Sequence, residues 1–468
     1  TTKIYTLSLH DALPIFGLPG ELFDVRINTH YGNAQDALAL EATQIGAFDG
    51  GYPLSFGAKA VPADDPLAAG LEAFEGSFEG WAAAGLLGSN SAVFPVPYGR
   101  YRPLLMAEDA DGRTRGSLLS LIQNHAGPFA GSNWLISGCS SEDITAQPAV
   151  QQALVAAMKQ IASPLYLARV ETGYYAYDPG EEVKVVCDLA NYSGGDQTAT
   201  VRVEAWAQDK RLLVTEPVVV KSVEGHTRSE VVFLAPEGQT GLVKLVVTLD
   251  EAGAVRDRYE LGYVALSDEQ MQKGFEVTFK DNYFRDGDRA RYLWGNNQTG
   301  MVFCSAFENP LEWEKDFQLM QDLGMNVQRV LHLSPYVVSR LGQPAAQPTD
   351  LNIEKLPEWL ERAYKGFAQL QQQHQVAFFI SMHDWMEQTL MPEELAAQRQ
   401  YAKVLGELLK DVPGIIWDVQ NEPHLDILNH PQLVPQWNEF LRAKYGNQAA
   451  FEAAWGAEMG CVTNEVTG

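Results

Sequence analysis

The sequence predicts a multidomain protein of mixed α/β and β class. Three observations carry this. Strand-like runs alternate with Gly/Pro/Ala-rich links at the start, an apolar period of two rules the middle, and strand and helix periods alternate repeatedly towards the end. A chain of 468 residues fits about two to four domains of ordinary size.

Charge narrows the partners. Lys and Arg number 34 against 60 Asp and Glu, a net charge of −26. Such a surface repels phosphate backbones and anionic headgroups, so neither nucleic acid nor a membrane surface is expected as a partner. With 46% hydrophobic and 20% charged residues, the chain can bury real cores. No apolar run reaches the roughly 18 residues of a membrane span. Cys139, Cys187, Cys304 and Cys461 lie far apart with no CxxC or His-rich neighbour. They read as packed or incidental thiols, and no metal or cofactor is expected.

Residues 1–15, TTKIYTLSLHDALPI, resemble translated sequencing-adapter read-through at the end of a metagenomic fragment and are set aside from the fold. The alternative is a short native strand in YTLSL. The native N-terminus is then expected upstream, which leaves the compartment open with a lean towards an exported bacterial protein.

Residues 16–164 predict an incomplete α/β domain. Phe23–Ile27, Leu118–Gln123 and Trp134–Ser137 are strand-like, Asp111-Gly112 signals a hairpin, and Ala149–Ile161 puts Val150, Ala153, Leu154, Ala157 and Ile161 on one helical face. The segment resembles the glutamine-amidotransferase-like domains that accompany the barrel in some β-galactosidases. Cys139 follows a strand there as a nucleophile would, but a packed thiol is the better reading.

Residues 165–266 carry six alternating runs, from EEVKVVCDLAN to VRDRYELGYVAL, parted by turn-formers. That is the pattern of an immunoglobulin-like β-sandwich acting as a spacer or packing module. From 267 to 468 the units become βα. A hairpin leads into a strand ending at Asn296-Asn297. A helix over Leu311–Leu323 closes at Gly324 before MNVQRVLHL. Helices at Lys355–Gln373 and Leu395–Leu409 precede and follow QVAFFISMHDW, and GIIWDVQ comes last. Short links between such units predict a parallel sheet, doubly wound or a barrel.

Active groups of βα folds sit at the carboxyl ends of strands. Here those ends carry Asn296 and Asn297, Arg329 and His332, His383 and Asp384, then Asn421 and Glu422. The sharpest stretch is WDVQNEP, Trp417 to Pro423. It resembles the fourth-strand motif of the clan A glycoside hydrolases, retaining (β/α)₈ enzymes of the family 5 and family 42 kind. YFRDGDRARYLWGNN, LMQDLGMNVQRV and FFISMHDW are similar to the clan's first three strand entries. The resemblance covers about Phe275 to Trp455 and implies the first half of a (β/α)₈ barrel.

The resemblance also implies roles. Glu422 would be the general acid/base, and Asn421 would contact the sugar 2-hydroxyl. Arg329 would orient the nucleophile, while Asn296, His383, Asp384 and Trp385 would bind substrate. The chemistry needs these types: a carboxylic acid protonates the leaving oxygen, and a second carboxylate about 5 to 5.5 Å away attacks the anomeric carbon. In the clan that second group is a Glu ending strand seven. Neither Glu458 nor Glu465 fits, since both fall after strand four. The expectation is a β-glycoside hydrolase acting by double displacement, present as an inactive fragment that stops after the fourth of eight strands.

The alternative is a non-catalytic carbohydrate-binding or scaffold protein with a degenerate barrel. For Trp294, Trp313, Trp359 and Trp417, core packing is the expected use. Asp286-Gly287-Asp288 and Glu108–Gly112 read as turns rather than calcium loops. NYS at Asn191 and NQT at Asn297 match the N-glycosylation pattern. Sugar, linkage, endo or exo action and oligomeric state stay open.

Overall fold

A computed structural model of the chain describes residues 5–7, 13–16, 51–54, 57–83, 99–137, 139, 141–274, 276–299, 309–331, 351–383, 391–420 and 433–455. They fall into two compact units. The first takes Thr1–Lys273, Met301–Leu323 and Arg362–His374, and the second takes Gly274–Gly300, Gly324–Glu361 and Gln375–Gly468.

In the first unit, β1 (Tyr5–Leu7) pairs antiparallel with β2 (Leu13–Phe16). A seven-stranded sheet follows, made of β3 (Gly51–Pro53), β4 (Lys59–Pro62), β5 (Phe74–Glu75), β6 (Trp81–Ala83), β7 (Gly99–Glu108), β8 (Thr114–Asn124) and β9 (Asn133–Ile136). Its order is β3-β6-β8-β7-β4-β5 with β9 also on β8, and every pair is antiparallel. The expected α/β arrangement is therefore corrected. Parallel neighbours need a crossover of a dozen or more residues, whereas β7 and β8 are joined by the tight Asp109–Arg113 turn. There Asp109 accepts from the backbone N–H groups of Asp111 and Arg113 at 2.9 Å each. The helix α1 (Pro148–Ala162) comes only after the sheet is complete, and its Val150, Ala153, Ala157 and Ile161 pack onto Leu104, Leu118 and Leu121. Phe23–Ile27 lies outside the described residues.

The sandwich strands are β10 (Leu165–Thr172), β11 (Ala176–Tyr177), β12 (Glu182–Asn191), β13 (Gln197–Ala207), β14 (Lys210–Val214), β15 (Val218–Ser222), β16 (Gly225–Leu234), β17 (Gly241–Glu251) and β18 (Ala254–Ala265). One sheet runs β10-β12-β16. The other runs β11-β18-β17-β13-β14, with β15 also on β13. Alternation explains the core. Val183, Val185, Cys187 and Leu189 face inward from β12, against Val201, Val203 and Ala205 of β13 and Val243, Leu245, Val247 and Leu249 of β17.

Asp257 of β18 is fully buried and ties the two parts of this unit together. It accepts from the Leu167 N–H at 2.8 Å, pairs with Arg100 of β7, and meets Arg102 at 3.2 Å, which itself grips Asp65. A buried charge survives only with such partners. After α2 (Asp268–Met271), the unit also takes α3 (Pro310–Asp322) and most of α4 (Glu358–Gln373). Trp313 and Phe317 of α3 pack against Phe367 of α4, edge to face and tilted, with ring centres 5.3 and 5.2 Å apart. Asn309 caps α3 and also accepts from the Gly262 N–H at 2.9 Å. Gly366 lets α4 approach β11 and β18 closely, since a Cβ there would stand 3.2 Å from the Ala176 methyl.

The second unit holds a short antiparallel meander, β19 (Thr278–Lys280), β20 (Tyr283–Asp286) and β21 (Arg289–Ala290). It also holds a four-stranded parallel sheet in chain order, β22 (Gly295–Thr299), β23 (Val327–Leu331), β24 (Ala377–His383) and β25 (Ile415–Gln420). In sequence, α3, α4 and α5 (Pro392–Leu409) fall between successive strands, and α6 (Leu433–Tyr445) and α7 (Gln448–Trp455) follow. Ala397, Tyr401, Leu405 and Leu409 form the buried stripe of α5 at helical spacing. Of the four tryptophans expected to pack, Trp313 is buried, but Trp294 and Trp417 are 48% and 37% exposed. No described helix is long and apolar enough to cross a membrane.

Candidate active site

Strand ends place the candidate residues. β25 closes at Gln420, so Asn421 and Glu422 lie outside the described residues, as do Asp384, Trp385 and His332. Asn296, Arg329 and His383 are described.

Register decides which of these share a face. Asn297 stands opposite Arg329, Arg329 opposite Phe379, and Phe379 opposite Ile416. Further along, Ser381 stands opposite Asp418. Side chains alternate along each strand, so Asn297, Arg329, Ser381, His383 and Asp418 occupy one face. Asn296 pairs with Gln328 and belongs to the other. Of the two strand-end asparagines, Asn297 therefore shares the face of Arg329 and His383, and Asn296 does not. A one-residue step flips the face, and two adjacent asparagines look alike in sequence. The Asn296 Oδ1 is buried with no hydrogen-bond partner among the described residues.

At the centre of that face stands Asp418. Its Oδ2 accepts from the Arg329 guanidinium at 2.5 Å and from the Ser381 hydroxyl at 2.6 Å. Both charged groups are mostly buried. The Arg329 guanidinium lies 5.1 Å from the Phe379 ring centre, adding a cation–π contact. Arg329 thus holds the Asp418 carboxylate in place through a charge-assisted hydrogen bond.

His383 ends β24 two residues beyond Ser381. Burial pushes its imidazole below the ordinary value, favouring the neutral ring. Its Nδ1 is buried without a partner among the described residues, and the ring sits 5.9 Å from that of Tyr401 on α5. A neutral imidazole with an open nitrogen can exchange a hydrogen bond with a ligand hydroxyl.

Ser381 and Asp418 escaped the sequence reading. A signal existed: Asp418 and Glu422 are four residues apart, hence of one parity along an extended chain. The strand was read as uniformly buried, which hid that parity.

A separate cavity of about 560 Å³ lies between α1 and the start of β18, lined by Leu67, Val155, Lys159 and Arg256 among others. It contains none of the strand-end residues. Among the described residues, no three His, Cys, Asp or Glu side chains gather closely enough to hold a metal ion.

No protein family and no curated protein matches the chain. Solved structures give partial likenesses. A β-glucuronidase of glycoside hydrolase family 2 aligns at 14% identity over 61% of this chain and 38% of its own, with a TM-score of 0.26. A β-D-mannosidase from Dictyoglomus thermophilum aligns at 15% identity over 54% of this chain and 29% of its own, with a TM-score of 0.25. The CARDB domain of a Pyrococcus furiosus protein, crystallised with di-metal ions, aligns at 13% identity over 22% of this chain and 89% of its own, with a TM-score of 0.19. The chain thus spans about a third of the glycoside hydrolases it aligns with, and superpositions this partial assign it to no family.

Proposed function

We propose that the protein belongs to a glycoside hydrolase acting on β-linked saccharides, with the parallel sheet of the second unit forming part of a (β/α)₈ barrel. One observation carries the reading. Arg329, Ser381, Asp418 and His383 converge on one face near the carboxyl ends of three adjacent parallel strands, and Asn421-Glu422 follows the last of them directly in sequence.

Glu422 protonates the glycosidic oxygen as the bond to the anomeric carbon breaks, and later takes a proton from the incoming water. Asn421 grips the 2-hydroxyl, whose hydrogen bond strengthens as oxocarbenium character develops. Asp418, neutralised by Arg329, holds the base of this strand end rigid. His383, Asp384 and Trp385 orient the sugar through hydrogen bonds and stacking. The attacking carboxylate is the one the clan resemblance puts on a later strand.

The test is an aryl β-glycoside panel, offered to the protein encoded by the reading frame that contains these residues. Glu422→Ala should cut turnover by about 10²- to 10⁴-fold, and added azide should restore it with formation of a β-glycosyl azide. Hydrolysis indifferent to Glu422, or none with any substrate, refutes the proposal. Glycan binding that survives Glu422→Ala without hydrolysis would favour a carbohydrate-binding role.

A further inference from the structure

The N-terminal sheet and the sandwich also meet at a pair of histidines. His125 directly follows β8 and is 8% exposed. His226 lies on β16, and its Nδ1 stands 3.0 Å from both carboxylate oxygens of Asp188 on β12. Its Nε2 stands 2.7 Å from the backbone carbonyl oxygen of His125. The Tyr192 hydroxyl donates to that same carbonyl at 3.2 Å. The two imidazole rings lie edge to face, 6.1 Å apart.

Both nitrogens of His226 therefore face oxygen acceptors. A neutral imidazole has one N–H and would leave a lone pair against an oxygen. Only the imidazolium donates to both, so the contact is built around a protonated His226. The groups around it are Asp188, Tyr192, His125, Arg169 and Arg100. Arg169 is paired with Glu171 and Arg100 with Asp257. Glu224, near Tyr192, accepts from the Gly194 N–H, so among the described residues Asp188 is the carboxylate paired with the rings, enough for one imidazolium and not for two.

We propose that His125 and His226 form a pH-gated clasp between the N-terminal sheet and the sandwich, closed while His226 alone is protonated and opened when His125 takes a second proton.

The electrostatics agree in sign. Burial, reinforced by the neighbouring His226, pushes the His125 imidazole down to about 4. For His226, burial is the largest single effect and lowers, but the Asp188 hydrogen bond, the His125 carbonyl and the Asp188 charge together outweigh it and the net direction is up. Unfolded, both titrate near 6.5. The His125 contribution is thus complete above 6.5 and lost as the pH falls towards about 4. The His226 contribution is complete below 6.5 and lost as the pH rises through its raised value. The clasp is tightest in mildly acidic to neutral solution.

Hydrogen exchange of the 468-residue chain, corrected for intrinsic rates and followed from pH 7 to 3.5, tests the clasp. Peptides covering 121–125, 188–192 and 225–228 should lose protection by about tenfold or more, ahead of β13 and β17. His125→Gln should shift that loss down by a pH unit or more. His226→Gln should loosen the same peptides already at pH 7. An unshifted curve in His125→Gln, or full protection in His226→Gln, overturns the proposal. If either variant fails to fold, NMR titration of the nine wild-type histidines decides. The resonance assigned to His125 must stay neutral at pH 5 and that of His226 must be more than half charged at pH 6.5, and ordinary titration of these two overturns the clasp.

Discussion

Arg329 of β23 and Asp418 of β25 meet across the intervening strand at 2.5 Å, and Ser381 of that strand donates to the same carboxylate oxygen at 2.6 Å. Three strands of a parallel sheet are thereby pinned through one acceptor, at the end where βα folds place their chemistry.

Removing either charge leaves the other half-desolvated. Asp418→Asn and Arg329→Gln should each lower the stability of the second unit by about 1–3 kcal/mol. Because the groups act on each other, the double variant should cost clearly less than the two single changes together. Urea unfolding of the four-member cycle measures this, and strict additivity would mean the pair is not coupled.

Gly295 begins β22 beside Val327. A Cβ at that position would lie 1.6 Å from the Val327 carbonyl oxygen and 2.7 Å from its carbon, both backbone atoms that cannot swing aside. Gly295→Ala should therefore break the β22–β23 pairing and cost at least about 3 kcal/mol. Thermal melting reads it out, and a melting temperature matching the wild type would show that the register is wrong.

What the sequence discloses here follows the range of the interaction. α3 was readable because Phe317 and Met320 recur at helical spacing and Gly324, at φ 72°, ends the helix. The sandwich was readable because β12, β13 and β17 alternate residue by residue. β24 was readable from an unbroken apolar run. Long-range pairing was not. The Asp111-Gly112 turn announces the β7–β8 hairpin locally, but β4 joins β7 across intervening strands, which no local pattern shows. Likewise the partner of Arg329 lies 89 residues away, and choosing Asn297 over Asn296 takes a register that no local pattern contains.

Asn191 sits in a glycosylation sequon, yet it is fully buried and its amide nitrogen donates to the carbonyls of Gly195 and Ser222 at 2.9 and 3.0 Å. Folded protein secreted from a eukaryotic host should carry no glycan at this position, as intact-mass and peptide mapping would show. Asn191→Ala should cost about 1–3 kcal/mol, because the buried Ser222 carbonyl loses its donor, while the partly buried Gly195 carbonyl keeps the Ser193 hydroxyl. A glycan found at Asn191 on natively folded protein would contradict the buried placement.

The thiols separate by burial. Cys187 lies in the sandwich core, fully buried, and desolvation pushes its thiol up to about 12. The thiolate is the reactive species, so Cys187 should resist iodoacetamide in the native protein. Cys139 is only partly buried, and its backbone N–H donates to the Ser137 hydroxyl at 3.2 Å. It should label faster than Cys187 in the folded protein. Peptide mapping after timed alkylation gives both rates. Denaturant should bring Cys187 to the Cys139 rate, a rise of roughly 10³-fold or more given the shift in thiolate fraction. Equal labelling of both in the folded state would place Cys187 outside the core and undo the inward register of β12.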